Sequence, residues 1–161
     1  YEVPVGFKWV SAKMSETGAI IGGESSGGMA VRGHISGKDG IYAAALLVEM
    51  LAVTGKSVSE LFAEITAQYG NPCWAEADFR MTPERKAELQ KLLFTEKRVP
   101  EFGTAVDHIS LEDGCKVYFK DGSWVICRFS GTEPLLRMAA EADEQAAADG
   151  YIKAFRDMLE L

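Results

Sequence analysis

DGCKVYFKDGSWVICRF, residues 113–129, contains two Asp-Gly pairs, each followed by a run in which apolar residues alternate with their neighbours. Asp-Gly between such runs is a strong signal for the tight turn of a β-hairpin. Val117 and Phe119 alternate with polar residues after the first pair, and Val125 and Cys127 fall on one strand face after the second. This stretch therefore predicts an antiparallel meander.

The flanking sequence adds further strands and two helices to this meander. Residues 74–81 and 135–142 have the composition of strands, and Thr82 followed by Pro83 is a typical helix start. A last helix carries apolar residues at helical spacing, namely Ile152, Phe155 and Leu159. We predict that residues 71–161 form an α+β domain: a small antiparallel four-stranded sheet with two covering helices.

Residues 1–70 have a different pattern, typical of the end of an α/β domain whose other strands lie elsewhere. Residues 19–21 form a short strand candidate that leads into a glycine-rich loop. Residues 41–53 are apolar on nearly every face, so we expect this helix to be buried against a sheet. The fold class predicted is thus an α/β remnant followed by an α+β domain.

Two further signals mark the end of the first part. Ser57 and Glu60 have the spacing of a capping box, which predicts a second helix to about Tyr69. Gly70-Asn71-Pro72 then breaks the chain, and we place the domain boundary there. The chain also starts abruptly without a methionine, which is typical of a piece of a longer protein.

Charge and composition narrow the class of protein. The net charge of −7 on 161 residues argues against a nucleic-acid partner, which requires a clustered basic face. No apolar run approaches the roughly 20 residues that cross a bilayer, so we expect no membrane contact. Three cysteines without a CxxC pair fit reduced thiols, and we expect a cytoplasmic protein. Two histidines are too few for a histidine-rich metal site, and no metal site is predicted.

The segment after the meander has the chemistry of a phosphate site. Arg128, Ser130, Gly131 and Thr132 place a guanidinium, two hydroxyls and a glycine within five residues. The arginine offers a fixed fork of donors, the hydroxyls add short hydrogen bonds, and glycine lets backbone N–H groups turn inward. The alternative is an ordinary Ser-Gly-Thr turn with a surface arginine.

The loop at residues 22–28, GGESSGG, allows three interpretations. In a polyol-binding loop, Glu24 accepts hydrogen bonds from adjacent hydroxyls and Ser26 both donates and accepts. As a nucleophile elbow, with Ser25 as nucleophile, the loop would lead into a helix and need an acid and a histidine. Asp107 and His108 are the late candidates, and as strand neighbours we expect them to point to opposite faces. The third interpretation is a plain glycine-rich connector.

The run at residues 33–39, GHISGKD, resembles a nucleotide-binding phosphate loop only superficially. Its spacing is one residue short, and Asp39 stands where a magnesium-binding Ser or Thr is required. We therefore reject a nucleotide site. Lys38 can still reach a phosphate from the start of a helix, the alternative being a solvated lysine.

Taken together, these motifs resemble the α-D-phosphohexomutase superfamily, the phosphoglucomutases and phosphomannomutases. The matching stretches are GFKW at residues 6–9, GGESSGG at 22–28, GHISGKDG at 33–40 and RFSGTEP at 128–134, with Arg137 and Glu141 beyond. They occur in family order across nearly the whole chain.

The resemblance implies that residues 1–70 are the C-terminal part of an α/β/α sugar-binding third domain and residues 71–161 a phosphate-binding fourth domain. It implies sugar-binding roles for Glu24, Ser26, Gly27 and His34, and phosphate-binding roles for Arg128, Ser130, Gly131, Thr132, Lys38 and Arg137. Pairing with Glu141 is the structural alternative for Arg137.

The resemblance also implies an isomerase that transfers phosphate through a phosphoserine and a hexose 1,6-bisphosphate, with Mg²⁺ as cofactor. No Ser-His-Asn-Pro-like phosphoserine loop and no Asp-Gly-Asp magnesium loop occurs in the sequence. We therefore expect no catalytic residue in this chain and no activity from it alone. Its expected partners are a hexose phosphate, with glucose first and mannose next, and the N-terminal domains of the same enzyme. A non-catalytic sugar-phosphate-binding module is the alternative.

Overall fold

A computed structural model describes residues 1–131 and 133–161 of the chain. The chain divides into two compact units, Tyr1–Gly70 and Asn71–Leu161. Each is built around its own sheet.

The first unit contains three helices and one two-stranded antiparallel sheet. In chain order its elements are α1 (Phe7–Thr17), β1 (Ile21–Gly23), β2 (Met29–Val31), α2 (Gly40–Thr54) and α3 (Val58–Tyr69). Helix α1 lies close against β1, because a Cβ added at Gly22 would lie 2.6 Å from Val10 Cγ1 and 2.7 Å from Met14 Sδ. Only glycine permits this approach.

Side chains define where α2 and α3 begin. Asp39 caps α2 by accepting hydrogen bonds from the backbone N–H groups of Ile41 and Tyr42, both at 3.0 Å. The predicted capping box of α3 is confirmed: Ser57 accepts from the Glu60 N–H, and the Glu60 carboxylate accepts from the Ser57 N–H. Such caps satisfy backbone donors that have no partner within the helix.

The expected burial of α2 is wrong. None of its residues is buried, and Ile41 and Val53 are 87% and 79% exposed. A 15-residue helix is about 22 Å long, whereas a three-residue strand covers only about 10 Å. The sheet of this unit is therefore too small to cover it.

No single helix among the described residues is long and apolar enough to cross a membrane. Helices α2 and α3 meet the length and composition requirement only as a pair, with a bend of 88° between them.

The second unit is α+β, with a five-stranded antiparallel sheet rather than the four strands predicted. Its elements are β3 (Cys73–Arg80), α4 (Pro83–Gln90) continued by a π-helical turn (Lys91–Thr95), β4 (Val106–Ser110), β5 (Cys115–Phe119), β6 (Trp124–Phe129), β7 (Leu135–Ala142) and α5 (Gln145–Leu159). The strand order is β3-β7-β6-β5-β4. Both predicted Asp-Gly turns join strands that pair, β4 with β5 and β5 with β6.

Both helices of this unit contribute to one hydrophobic core on a single face of the sheet. Leu89 of α4 and Phe155 of α5 are buried with alternate strand residues such as Val117, Val125 and Met138. The opposite face carries the intervening residues of each strand, and it is there that the charged side chains of β6 and β7 lie.

Gly114 lies next to Arg128 at the edge of the β5–β6 pair, and its replacement by alanine is expected to destabilise the unit. Its φ is +94°, and an added Cβ would lie 2.5 Å from the Cys127 carbonyl oxygen. We expect the G114A substitution to lower the free energy of unfolding by about 2–3 kcal/mol, measured by urea denaturation.

The G122A variant is the matched control for G114A. Gly122 has a similar φ of +91° but no atom within 4 Å of an added Cβ. It therefore carries the backbone strain without the collision, and we expect a loss of only about 1 kcal/mol. Equal losses in the two variants would contradict the steric explanation.

Candidate functional site

The sugar-loop candidate is a tight connection between β1 and β2. The Glu24 N–H donates to the Gly28 carbonyl, and the Gly27 N–H donates to the Glu24 carbonyl, both at 2.9 Å. Gly27 has a φ of +90°, which favours glycine. Ser26 and Gly27 are exposed at the tip, so the loop presents a hydroxyl and open backbone to a ligand.

Lys38 forms an ion pair with Glu24 across this loop. The Lys38 Nζ lies 2.9 Å from Glu24 Oε2, and the Glu24 side chain is only 19% exposed. Gly28 makes room for the contact, because a Cβ there would lie 2.3 Å from Lys38 Cδ. The structure thus brings together a predicted sugar-binding carboxylate and a predicted phosphate-binding ammonium.

His34 makes its contacts with Asp39 and Tyr42. Its Nε2 lies 2.8 Å from Asp39 Oδ2, and its ring stacks on Tyr42 with centroids 4.0 Å apart. The hydrogen bond with His34, followed by that from the Tyr42 N–H, lowers the pKa of Asp39 below its ordinary value. His34 therefore belongs to the start of α2, where Asp39 is also the helix cap.

The phosphate-loop candidate joins β6 to β7 and is closed by its own backbone. The Ser130 N–H donates to the Leu135 carbonyl at 2.9 Å, and the Glu133 N–H donates to Ser130 Oγ at 3.2 Å. Ser130 is buried and Gly131 is exposed. Thr132, the fourth residue of the predicted site, lies outside the described residues.

Two arginines flank this loop on adjacent strands. Arg128 and Arg137 are direct partners in the β6–β7 register, so their side chains lie on the same face of the sheet. Arg137 lies 3.3 Å from Glu133 and 3.9 Å from Asp78. These carboxylates replace the predicted alternative partner Glu141. The Arg128 guanidinium has no hydrogen bond or ion pair with another described residue.

Lys86 also reaches the phosphate loop, and sequence reasoning missed it. Its Nζ donates to the Ser130 carbonyl at 3.0 Å from the first turn of α4. The two residues are 44 positions apart, and no local motif links them. Only the pairing of β3 with β7, which brings the start of α4 beside the loop, makes the contact predictable.

The nucleophile-elbow interpretation of Ser25 is not supported. The loop connects two strands of a hairpin, whereas the elbow requires a strand that leads into a helix. The expectation that Asp107 and His108 point to opposite faces is wrong, since His108 Nδ1 lies 2.8 Å from Asp107 Oδ2. An irregularity in the β4–β5 register between Val106 and His108 breaks the alternation of the strand.

Comparison with known families matches both units. A model described as "Phosphoglucomutase/phosphomannomutase, alpha/beta/alpha domain III" matches residues 1–69, and one described as the C-terminal domain of the same group matches residues 77–158. The chain belongs to the phosphoglucomutase/phosphomannomutase family. The resemblance inferred from the four motifs is thereby confirmed.

Individual family members give the same result. The chain is 34% identical over 158 residues to a phosphoglucomutase/phosphomannomutase of Thermococcus kodakarensis, across 97% of this chain and 32% of the relative. It is 30% identical over 156 residues to a phosphoglucosamine mutase of Streptococcus pyogenes, across 96% of this chain and 31% of the relative. The chain thus spans about a third of the length of these relatives.

A solved structure of the family has the same fold. The crystal structure of a phosphoglucomutase/phosphomannomutase family protein from Burkholderia thailandensis is similar with a TM-score of 0.68 and 25% sequence identity. The match covers 97% of this chain and 31% of that structure. The sequence matches and the backbone similarity therefore point to the same family.

Proposed function

We propose that this chain is the sugar- and phosphate-binding portion of a phosphohexomutase that interconverts hexose 1-phosphate and hexose 6-phosphate. The observation that carries the proposal is the loop between β6 and β7, where Ser130 and Gly131 follow Arg128, and Arg128 lies beside Arg137 on the same sheet face. The Arg128 guanidinium has no ion pair with another described residue. A planar guanidinium beside hydroxyl and backbone donors suits a phosphate dianion. Family membership of both units supports the assignment.

In the proposed reaction this loop holds the phosphate that is not being transferred. Binding energy from a remote phosphate orients the reacting end of the sugar and so lowers the barrier to transfer. Glu24 and Ser26 of the other loop would accept and donate hydrogen bonds to ring hydroxyls, with Gly27 letting the ring approach the backbone. Lys38 would leave its ion pair with Glu24 to meet the ligand, which frees the carboxylate for a hydroxyl.

The transfer itself is proposed to take place on residues outside this chain. We propose a phosphoserine there as donor, a hexose 1,6-bisphosphate as intermediate and activator, and Mg²⁺ as cofactor. No group of three His, Cys, Asp or Glu residues that could hold a metal ion occurs within residues 1–131 and 133–161. We expect the chain alone to bind substrate without turning it over, because its sequence contains neither the phosphoserine loop nor the magnesium loop of the family.

Glucose phosphates are the substrates we propose first, with mannose phosphates next and a cytoplasmic location. The 2-hydroxyl that distinguishes these sugars is selected by pocket shape, and the name of the Thermococcus kodakarensis relative includes both glucose and mannose phosphates as substrates. The apolar residues exposed on α2 and α3 also favour self-association of the chain. A monomeric mass measured by light scattering at high protein concentration would contradict self-association.

An NMR titration of backbone amides with glucose 1-phosphate tests the proposed function. We expect saturable shifts at residues 128–131 and at residues 24–27. Inorganic phosphate should shift the first group alone, and glucose should shift neither at the same concentration, because the phosphate supplies most of the binding energy. Absence of shifts at both loops with millimolar glucose 1-phosphate would contradict the proposal.

A further inference from the structure

The first turn of helix α4 and the residues just before it contact both ends of the phosphate loop. The Lys86 Nζ donates to the Ser130 carbonyl at 3.0 Å, and the Met81 N–H, just before the helix, donates to the Pro134 carbonyl at 3.0 Å. The Lys86 ammonium also lies 5.9 Å from the centroid of the Phe129 ring. The lysine is half-buried, so its stem is packed while its charge reaches the loop backbone.

The carbonyl that Lys86 holds is part of the peptide that carries the Gly131 N–H. In a trans peptide the C=O and the following N–H point in opposite directions within one plane. Fixing the Ser130 carbonyl toward α4 therefore aims the Gly131 N–H away from the helix. Gly131 is exposed, so a ligand can approach this residue from solvent.

Lys86 also changes the electrostatics of the loop. Arg137 is partly neutralised by Glu133 and Asp78. Lys86 makes no ion pair with any residue in the described part of the chain, so its charge is not cancelled by a neighbouring carboxylate. A focused positive charge of this kind attracts an anion even on a protein of net negative charge.

We propose that Lys86 is a positioning residue of the phosphate loop: it holds the Ser130 carbonyl so that the Gly131 N–H faces the phosphate, and it adds positive charge to the site. This inference rests on the proposed function, because it assigns a further residue to the same phosphate site. Loop geometry and charge thus depend on a helix that lies far from the loop in sequence.

The test is a titration of the full 161-residue chain with inorganic phosphate, followed by the amide shifts of Ser130 and Gly131. We expect K86M to weaken phosphate binding about fivefold to tenfold, which is the usual effect of losing one charge-assisted contact. K86R should stay within about twofold of the parent, because it keeps both charge and donor. K86Q keeps only a neutral donor and should weaken binding nearly as much as K86M.

The K91M variant is the matched control. Lys91 comes directly after α4, its side chain is 72% exposed, and its Nζ lies 3.9 Å from Glu96 Oε1. It should bind phosphate as the parent does. In about 1 M KCl the gap between the parent and K86M should narrow, because salt screens a charge effect. A merely structural role would leave the gap unchanged.

Four outcomes would overturn the proposal, and they identify three different failures. If the parent chain and K86M bind phosphate equally well, Lys86 has no role at this site, but the proposed function still stands. Equal binding by K86Q and the parent, or a gap that high salt leaves unchanged, removes the charge effect. A parent chain whose loop amides do not respond to phosphate removes this role and the proposed function together. Should K86M fail to fold, the comparison of K86Q with K86R carries the test.

Discussion

Replacing Arg128 by alanine is expected to weaken binding of glucose 1-phosphate by about 100-fold, because an arginine fork makes two charge-assisted hydrogen bonds of about 1.5 kcal/mol each and every 1.4 kcal/mol is tenfold. Arg128 has no ion pair with another described residue, so its removal leaves no carboxylate without a partner. We therefore expect the melting temperature to stay within about 2 °C of the parent, as for other surface substitutions. Amide titration and thermal unfolding of the same samples measure the two effects.

Two further arginine variants show whether geometry or charge is responsible. R128K keeps the charge but loses the planar fork, and we expect an intermediate loss of about tenfold. R137A should weaken binding less than R128A, because Glu133 and Asp78 already engage the Arg137 guanidinium. An R128A variant that reaches saturation at the same concentration as the parent would contradict the assignment of the phosphate loop.

Structure that is encoded within a few residues could be predicted from the sequence. The Asp113-Gly114 and Asp121-Gly122 turns join paired strands, and Ser57 and Glu60 form both hydrogen bonds of the capping box. Each of these features depends on the backbone preference or hydrogen-bonding reach of adjacent residues. The motif order was likewise sufficient to identify the family.

The predicted count of four strands was one too low, although Asp107 and His108 were already expected to lie on a strand. That strand, β4, lacks the pattern that makes a strand easy to recognise. Four of the five residues of β4 are exposed, so the strand shows no alternation of buried and exposed positions. It is an edge strand with β5 as its neighbour in the sheet. Its register is irregular, and the side chains of Asp107 and His108 lie within hydrogen-bond distance of each other. Backbone hydrogen bonding rather than side-chain burial defines it, and residue composition carries little of that information.

Long-range contacts around the two loops could not be predicted for a different reason. Lys86 meets Ser130, and Lys38 meets Glu24, only once strand pairing has brought separate segments together. A surface lysine has the same appearance in sequence whether it is solvated or bound to a loop carbonyl. Glu133 and Glu141 are each four residues from Arg137 in the sequence, so spacing alone does not show which of them pairs with it. The side-chain geometry of the folded unit selects Glu133.

The stability of the second unit is expected to depend most strongly on Phe155. This side chain is fully buried on α5 and meets Phe102 edge-on with ring centroids 5.6 Å apart. We expect F155A to lower the free energy of unfolding by about 3–5 kcal/mol, through lost burial and the cavity that remains. For a unit of this size that corresponds to a fall of more than about 10 °C in melting temperature.

Graded variants separate the loss of packing from a general sensitivity of the unit. F155L retains most of the volume and should cost about 1–2 kcal/mol, whereas I109A removes a side chain that is 42% exposed and should cost less than about 1 kcal/mol. Urea denaturation followed by the fluorescence of Trp74 and Trp124, both in this unit, provides the measurement. Equal losses for F155A and I109A would mean that the core does not support the sheet as the structure indicates. A loss confined to F155A and F155L would show that this core supports the sheet.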